Sequence, residues 1–501
     1  MSYLLFHDTL ESTLEGVQSN TVASFRAIPY GTIAERFAEA EKVTNVPKIL
    51  DCRQFGPRCP QLPVDVGHLL RVPPSVKFPE EPEDEFKCVN LDVVVPKLPS
   101  SSKLSRLPVL VWIHGGSQAV TYGSQASGLC DVTKIVADSV ALQTPIIAVA
   151  VQYRLNIFGW GNDKGSANLS LRDQALALQW VQEHIAGFGG DPNQVTVGGE
   201  SAGAIYCHAH LVTGAPAKQY ILSSGSLGLS PPQPATRVNA VRGMVSDRLK
   251  EIDPTLNLDN ASAAQIIEAI RRTGIQSWFM EWEDRFQGWE TAPGDAQRVL
   301  LSDTQKEAVI WQNGVWSTSV EDIIAAFDLG EDSSDTLKEL YHIHADRPSS
   351  SRIGALDFVN DYKYLLPIER LLKLFKSTYK EAYWALIDEA NPWQPSIGSH
   401  HAIDLVLLFG GFNDIINEAA RQSGSNLRQA WIRFIAGGKP WIADQDSPYA
   451  FGPYGDTKEV GSLELRSRRR IAATEVLNRI EGSVLDKVLG ALVAGKISLH
   501  N

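Results

Sequence analysis

The chain has 501 residues, 44% of them hydrophobic and 21% charged, with a formal net charge of -12 at pH 7. That is the composition of a folded soluble protein with room for a large core, which excludes a mainly disordered chain. The acidic balance argues against nucleic acid, whose phosphates demand a basic face, and against anionic membranes, so a small or uncharged substrate is expected as partner.

No apolar run approaches the ~18 residues of a membrane helix. The opening MSYLLFHDTLES has no basic n-region and meets His7 and Asp8 before an apolar region develops, so no secretory signal is visible and a cytoplasmic location is expected. The five cysteines, Cys52, Cys59, Cys88, Cys130 and Cys207, form no CxxC pair. The pairs His208/His210 and His342/His344 lack further ligands at zinc-type spacing and read as structural, so no metal is expected.

In chain order, the Ser-rich connector Pro99-Ser100-Ser101-Ser102 reads as an exposed loop. After it, LPVLVWIHGG (Leu107 to Gly116) is the first reliable strand, its continuous apolar run fitting burial on both faces. PIIAVAV (Pro145 to Val151) predicts a second strand. Leu171, Ala175, Leu178, Val181 and Ile185 recur at helical spacing. Val195-Thr196-Val197 predicts a short strand, Ala202 onward a helix, and Tyr220-Ile221-Leu222 another strand. Alternating strands and helices argue an α/β fold with a mostly parallel sheet.

Beyond Ser226 helical segments dominate until Val299-Leu300-Leu301, and again over much of 315–380 before Tyr383 to Ile387 resumes strand character. The chain therefore reads as one catalytic domain, 1–501, with insertions at about 227–297 and 315–380 that cover the edge of the sheet. Trp278, Trp282, Phe286 and Trp289 recur at near-helical spacing. They predict an amphipathic helix, with an aromatic pocket wall as the other reading. The cluster Arg466, Arg468, Arg469 and Arg470 reads as a solvated helix face.

The chemistry centres on GGDPNQVTVGGESAGA (Gly189 to Ala204). A serine hydroxyl is a poor nucleophile unless a base takes its proton and a third group orients the base. Ser201, flanked by Gly199 and Gly203 between a strand and an Ala-rich helix, fits the sharp turn that exposes a nucleophile. A developing oxyanion needs N–H donors, each worth ~3 kcal/mol of barrier. His114-Gly115-Gly116 can supply backbone donors at the same sheet edge, together with the N–H of Ala202.

Taken together, FRAIPYG, WIHGG, YRLNIFGW, NLSLRDQALALQWVQEHIAGFGGDP, GGESAGA, SSGS, SDTQKEAVIW, GSHHAIDLVLLFG and WIRFIAGGKP resemble type B carboxylesterases. These are the cholinesterase-like branch of the α/β-hydrolases, and the flavour is that of fungal members. The resemblance implies an α/β-hydrolase fold with helical insertions over the active site, and a serine ester hydrolase without cofactor. It implies Glu307 as the triad acid, with Asp303, Asp388 and Glu389 as alternatives, the last two read as structural. Gly398, His401, Asp404 and Phe409-Gly410 fit the family pattern around the base, so His401 is preferred over its neighbour His400, and His114 is expected to anchor the oxyanion loop.

Glu200 is expected to shape electrostatics beside the nucleophile, and Ser226 in SSGS to support the triad. Where relatives show His-Gly-Gly-Gly-Phe, this chain reads His-Gly-Gly-Ser-Gln, with Ser117 at the third glycine, so the expected donors are Gly115, Gly116, Ser117 and Ala202. A serine resists the positive φ that glycine accepts. Cys59 and Cys88 match a family disulfide pair. An acyltransferase or lactone-handling enzyme on the same triad is the alternative. A binding scaffold that has lost catalysis is the reading of another class. No interface signal bears on oligomeric state.

Overall fold

The computed structural model describes residues 2–98, 106–161, 166–442 and 447–497, so the expected loop at 99–102 lies outside the described residues. A 13-stranded sheet runs through the chain. Its strands include β1 (Ser2–His7), β2 (Ser12–Gln18), β3 (Val22–Pro29), β4 (Asn90–Pro96), β5 (Leu107–Ile113) and β6 (Ile147–Val151). They continue with β7 (Gly190–Glu200), β8 (Gln219–Ser223), β9 (Arg298–Thr304), β10 (Glu381–Ile387), β11 (Tyr449–Phe451) and β12 (Thr457–Glu459).

The spatial order is β1-β2-β3-β4-β6-β5-β7-β8-β9-β10-β11-β12, with Ile49–Asp51 paired to β2. The segment from β6 and β5 through β11 is parallel, as predicted. The strands β1 to β4 are antiparallel and precede the first strand read from the sequence. In β1 exposed and partly buried residues alternate, a half-buried pattern that a search for continuous apolar runs passes over.

Alternation along β5 shows how the sheet carries two cores. Val109, Val111 and Ile113 join one cluster, while Leu110 and Trp112 join the other, as a period of two requires. On the first face lie α1 (Leu169–His184) and α2 (Ala202–Thr213), through Leu178, Val181, Ile205 and Leu211. On the second, α3 (Ile403–Phe409) and α4 (Glu418–Ile435) bring Leu405, Leu427 and Trp431, whose ring lies 6.1 Å from that of Trp112. Both faces are covered, which is why β5 reads as an unbroken apolar run.

Two expectations are corrected. The arginine cluster is not a solvated face. Arg469 is buried, with Nε 2.6 Å from Asp303 Oδ2 and Nη1 2.9 Å from Asp388 Oδ1. Arg468 reaches Asp388 and Glu464, and Arg470 reaches the buried Asp361 and also Asp357, so that only Arg466, with Glu475, and the outer side of Arg470 face solvent. The partners of Arg469, Asp303 and Asp388, lie far away in sequence at the ends of β9 and β10, so local composition carries no sign of them. Removing one side of such a pair typically costs ~3–5 kcal/mol, because it strands a buried charge.

The aromatic run is not an amphipathic helix either; among residues 275–289 only Asp284–Phe286 forms a single 3-10 turn. Backbone bonds hold it as an irregular strap: Gln233 N–H donates to Met280 O, and Trp282 N–H to Gln233 O. Trp278 packs on Trp160, with ring centroids 4.6 Å apart.

Candidate functional site

Ser201 sits between β7 and α2 with φ 55 and ψ -121, a conformation L residues avoid unless the surroundings impose it. The flanking glycines explain how it is imposed. A Cβ on Gly203 would lie 2.1 Å from Ile113 O, and one on Gly199 would lie 2.5 Å from Gly203 C, so neither position admits a side chain. Ser201 N–H donates to Ser223 O at 2.9 Å, tying the turn to β8.

The structure brings Ser201, Glu307 and His401 together. His401 Nε2 lies 2.9 Å from Ser201 Oγ, and its Nδ1 lies 2.5 Å from Glu307 Oε2. An ionised carboxylate can only accept, so Nδ1 carries the proton and Nε2 accepts from the Ser201 hydroxyl. All three side chains are buried. The acid and base loops also pair directly, Lys306 N–H donating to Ser399 O (3.0 Å) and His401 N–H to Lys306 O (3.3 Å).

Glu307 is anchored on every side. Oε1 accepts from Thr304 N–H at 2.6 Å and from the Ser224 hydroxyl at 2.7 Å, while Asn360 Oδ1 accepts the Glu307 N–H at 2.7 Å. Burial pushes the carboxyl up, but the bonds from His401, Thr304 and Ser224 outweigh it and hold the group below its usual range. The supporting serine is therefore Ser224 and not Ser226, whose hydroxyl oxygen instead accepts Gly228 N–H at 3.1 Å and closes its own turn.

The other candidates are elsewhere. His400 Nε2 accepts from Asn391 Nδ2 at 2.9 Å and its Nδ1 donates to His401 O, away from the serine. Asp303 and Asp388 bind the buried arginines, and Glu389 accepts from the Ser423 hydroxyl and Gly455 N–H. His208 Nδ1 accepts Leu227 N–H, and His210 Nε2 lies 3.0 Å from Gln174 Oε1. Cys59 and Cys88 are buried thiols rather than a bridge.

Glu200 lies under the base, its Oε1 3.4 Å from His401 Nε2 and without a hydrogen-bond partner among the described residues. Burial raises Glu200 well above the carboxylate range. Burial also works against a charged imidazole, but Glu200 and then Glu307 outweigh it and lift His401 to about 9. Only the neutral ring, protonated on Nδ1, leaves Nε2 free to accept the serine proton.

The loop after β5 turns its carbonyls inward. Gly115 O accepts Tyr122 N–H, Gly116 O accepts Ala119 and Val120 N–H, and Ser117 O accepts Trp278 N–H at 2.9 Å. Gly115 bridges Tyr122 through its carbonyl, and the N–H groups of Gly116 and Ser117 have no acceptor among the described residues. Gly116 has φ 120 and Ser117 φ 55, so the serine does adopt the left-handed backbone that glycine takes more readily. Ala202 N–H, first in α2, is one of the four a helix cannot bond internally. His114 stacks on Tyr153 at 4.4 Å, its Nδ1 donates to Gly115 O, and burial lowers it to about 4, so it is a neutral anchor for this loop.

Leu69, Gly116, Ser117, Tyr122, Ser201 and His401 line a cavity of about 10 Å³, room for about one water. Asn360, Ser224 and Tyr364, whose ring lies 5.7 Å from that of His401, escaped the sequence reading, since nothing local marks them as neighbours of the triad. Among the described residues no helix is long and apolar enough to cross a membrane.

Comparison with known proteins bears on the family and the fold. The chain is similar to Lipase 1 of Yarrowia lipolytica, 30% identical over 490 residues that cover 91% of this chain and 94% of the lipase. It is also similar to the para-nitrobenzyl esterase of Bacillus subtilis, 28% identical over 85% of this chain and 88% of that one. A solved PNB esterase superposes with a TM-score of 0.72 at 24% identity, covering 93% of this chain and 99% of the other, which shows the α/β-hydrolase fold. The model of the carboxylesterase family matches residues 8–274. With half the chain matched by that model and a relative aligned along nearly its whole length, the chain belongs to the carboxylesterase family.

Proposed function

We propose that this carboxylic ester hydrolase works through Ser201 as nucleophile, His401 as general base and acid, and Glu307 as the carboxylate that orients it. The observation that carries the reading is the continuous hydrogen-bonded chain from Ser201 Oγ through both nitrogens of His401 to Glu307. Ser201 Oγ attacks the ester carbonyl carbon while Nε2 takes its proton. The carbonyl oxygen, now negative, accepts from the N–H groups of Gly116, Ser117 and Ala202. The intermediate collapses, the alcohol leaves with the proton from Nε2, and the acyl group stays on Ser201. Water then attacks the acyl carbon, giving a proton to His401, and the acid leaves as Ser201 regains one.

A small-molecule ester is the substrate this site suits, and the cavity beside Ser201, with room for about one water, has to widen to admit one. The test is hydrolysis of a p-nitrophenyl ester series by the protein and by Ser201→Ala. Turnover by the first, and a loss on the order of a million-fold in the second, supports the reading. Equal residual rates contradict it. Adding a primary alcohol separates hydrolysis from acyl transfer, because a transferring enzyme yields the new ester in place of the acid.

A further inference from the structure

We propose that Tyr364 is a positioning residue for His401, its ring both fixing the imidazole and stabilising the imidazolium that forms as Ser201 gives up its proton. The inference rests on the reading of Ser201 and His401 just given. Four observations carry it.

The Tyr364 ring centroid is 5.7 Å from that of His401, with the planes at 65°. A cation over the face of an aromatic ring, within about 6 Å of its centroid, is attracted by the ring quadrupole, and this edge contact brings the imidazole within that reach, in the charged form that exists only during the reaction. Tyr364 is itself fixed: it is buried and meets Trp311 edge-on at 6.2 Å. Its phenol oxygen has no hydrogen-bond partner among the described residues, so the contact with His401 is made by the ring and not by the hydroxyl.

The backbone that presents it is the third observation. Residues Asp361–Leu365 form a π-helical turn between the helices Pro348–Asn360 and Leu366–Ser377. Such wide turns are rare, and they concentrate at functional sites. The fourth is Asn360, one turn earlier, whose Oδ1 accepts the N–H of Glu307 at 2.7 Å and of Ala308 at 3.3 Å. One helical segment therefore touches both partners of the serine: the backbone of the acid through Asn360 and the ring of the base through Tyr364. The insertion at 315–380, expected from the sequence to cover the site, has this second task.

The charged and titratable groups around the imidazole are Glu200 at the end of β7, Glu307 in the acid loop, Asp404 one turn further along its own segment, and the neighbouring His400. The carboxyls act through their charge where they are ionised, which burial opposes at Glu200 and at Asp404. Tyr364 carries no charge and discriminates only between the neutral and protonated ring. Removing its ring therefore lowers the affinity of His401 for a proton, and with it the pH at which activity is lost on acidification.

The test compares Tyr364→Leu and Tyr364→Phe in the full chain, with p-nitrophenyl butyrate as probe and the pH profile of kcat/KM as second readout. Tyr364→Leu is expected to lower kcat roughly tenfold with KM within about twofold, and to move the acid limb to lower pH. Tyr364→Phe, which keeps the ring, is expected to rescue kcat to within about threefold. If Tyr364→Leu does not fold, Tyr364→Met removes the same ring with a more adaptable side chain. An unmoved kcat and acid limb in the variants without the ring, or a Tyr364→Phe as impaired as Tyr364→Leu, overturns the proposal. A wild type that neither turns over the ester nor takes a fluorophosphonate on Ser201 overturns the triad reading as well, so the two failures are distinct.

Discussion

The two halves of the site are built in different ways. The nucleophile half is local: Gly199, Ser201 and Gly203 fall within five residues, and the close approach of Gly203 to Ile113 O bends the chain into its strained turn. The acid-base half is assembled from a distance. Glu307 and His401 lie 94 residues apart, and they are held by Ser224, Thr304 and Asn360, each from a different part of the sequence or from the strand end before the acid. A contiguous motif can enforce backbone strain by sterics alone, whereas a pair of loops needs several hydrogen bonds whose partners must all arrive.

The two halves therefore break differently. The largest effect is expected at Glu307→Gln. The amide cannot hold the imidazole in the tautomer that accepts from Ser201, so kcat falls by about 10⁴ with little change in the melting curve. Next, Gly203→Ala attacks the nucleophile half through its backbone. A methyl 2.1 Å from Ile113 O has to displace backbone, so denaturant unfolding should show a loss of about 3 kcal/mol or more. A stable Gly203→Ala with full activity would show that the close approach does not shape the turn.

Ser224→Ala is a smaller perturbation of the distant half. It removes one of two donors to Glu307 Oε1, and about a tenfold loss in kcat is expected, with Ser226→Ala as the contrasting variant nearer to wild type. The smallest effect is expected at Glu200→Gln. Activity needs a neutral His401, so it falls as pH drops through the titration of the ring. Glu200 favours the protonated ring, and replacing it by a neutral amide should move the acid limb of kcat/KM to lower pH. A limb that moves upward contradicts the charge assignment.

The same contrast governs what the sequence reveals. The turn at Ser201 is legible because its glycines stand beside it, and β5 and β6 are legible because strands buried on both faces are continuously apolar, while β7 shows itself only over Val195 to Val197. Glu307 and His401 are found through family resemblance, not through any local necessity. Ser226, expected from the resemblance to support the triad, lies two residues from Ser224, the serine whose hydroxyl meets Glu307, a difference that composition does not reveal. The arginines at 466–470 read as solvent-facing because Asp303, Asp361 and Asp388 lie more than 75 residues away in the chain. The near-helical spacing of Trp278, Trp282, Phe286 and Trp289 misleads for a related reason. Over Trp278 to Trp282 that segment spends backbone hydrogen bonds on Gln233, Asn168 and Ser117, and only Glu283 to Trp289 turns back on itself.

The most direct test of the central claim, that Ser201 is the activated nucleophile, is to treat the protein with a fluorophosphonate and locate the adduct by peptide mass spectrometry, beside His401→Ala under the same conditions. The account predicts a single adduct on Ser201 in the wild type, and labelling slower by several orders of magnitude when the base is gone. An adduct on another residue, or equal labelling in the two proteins, would contradict it.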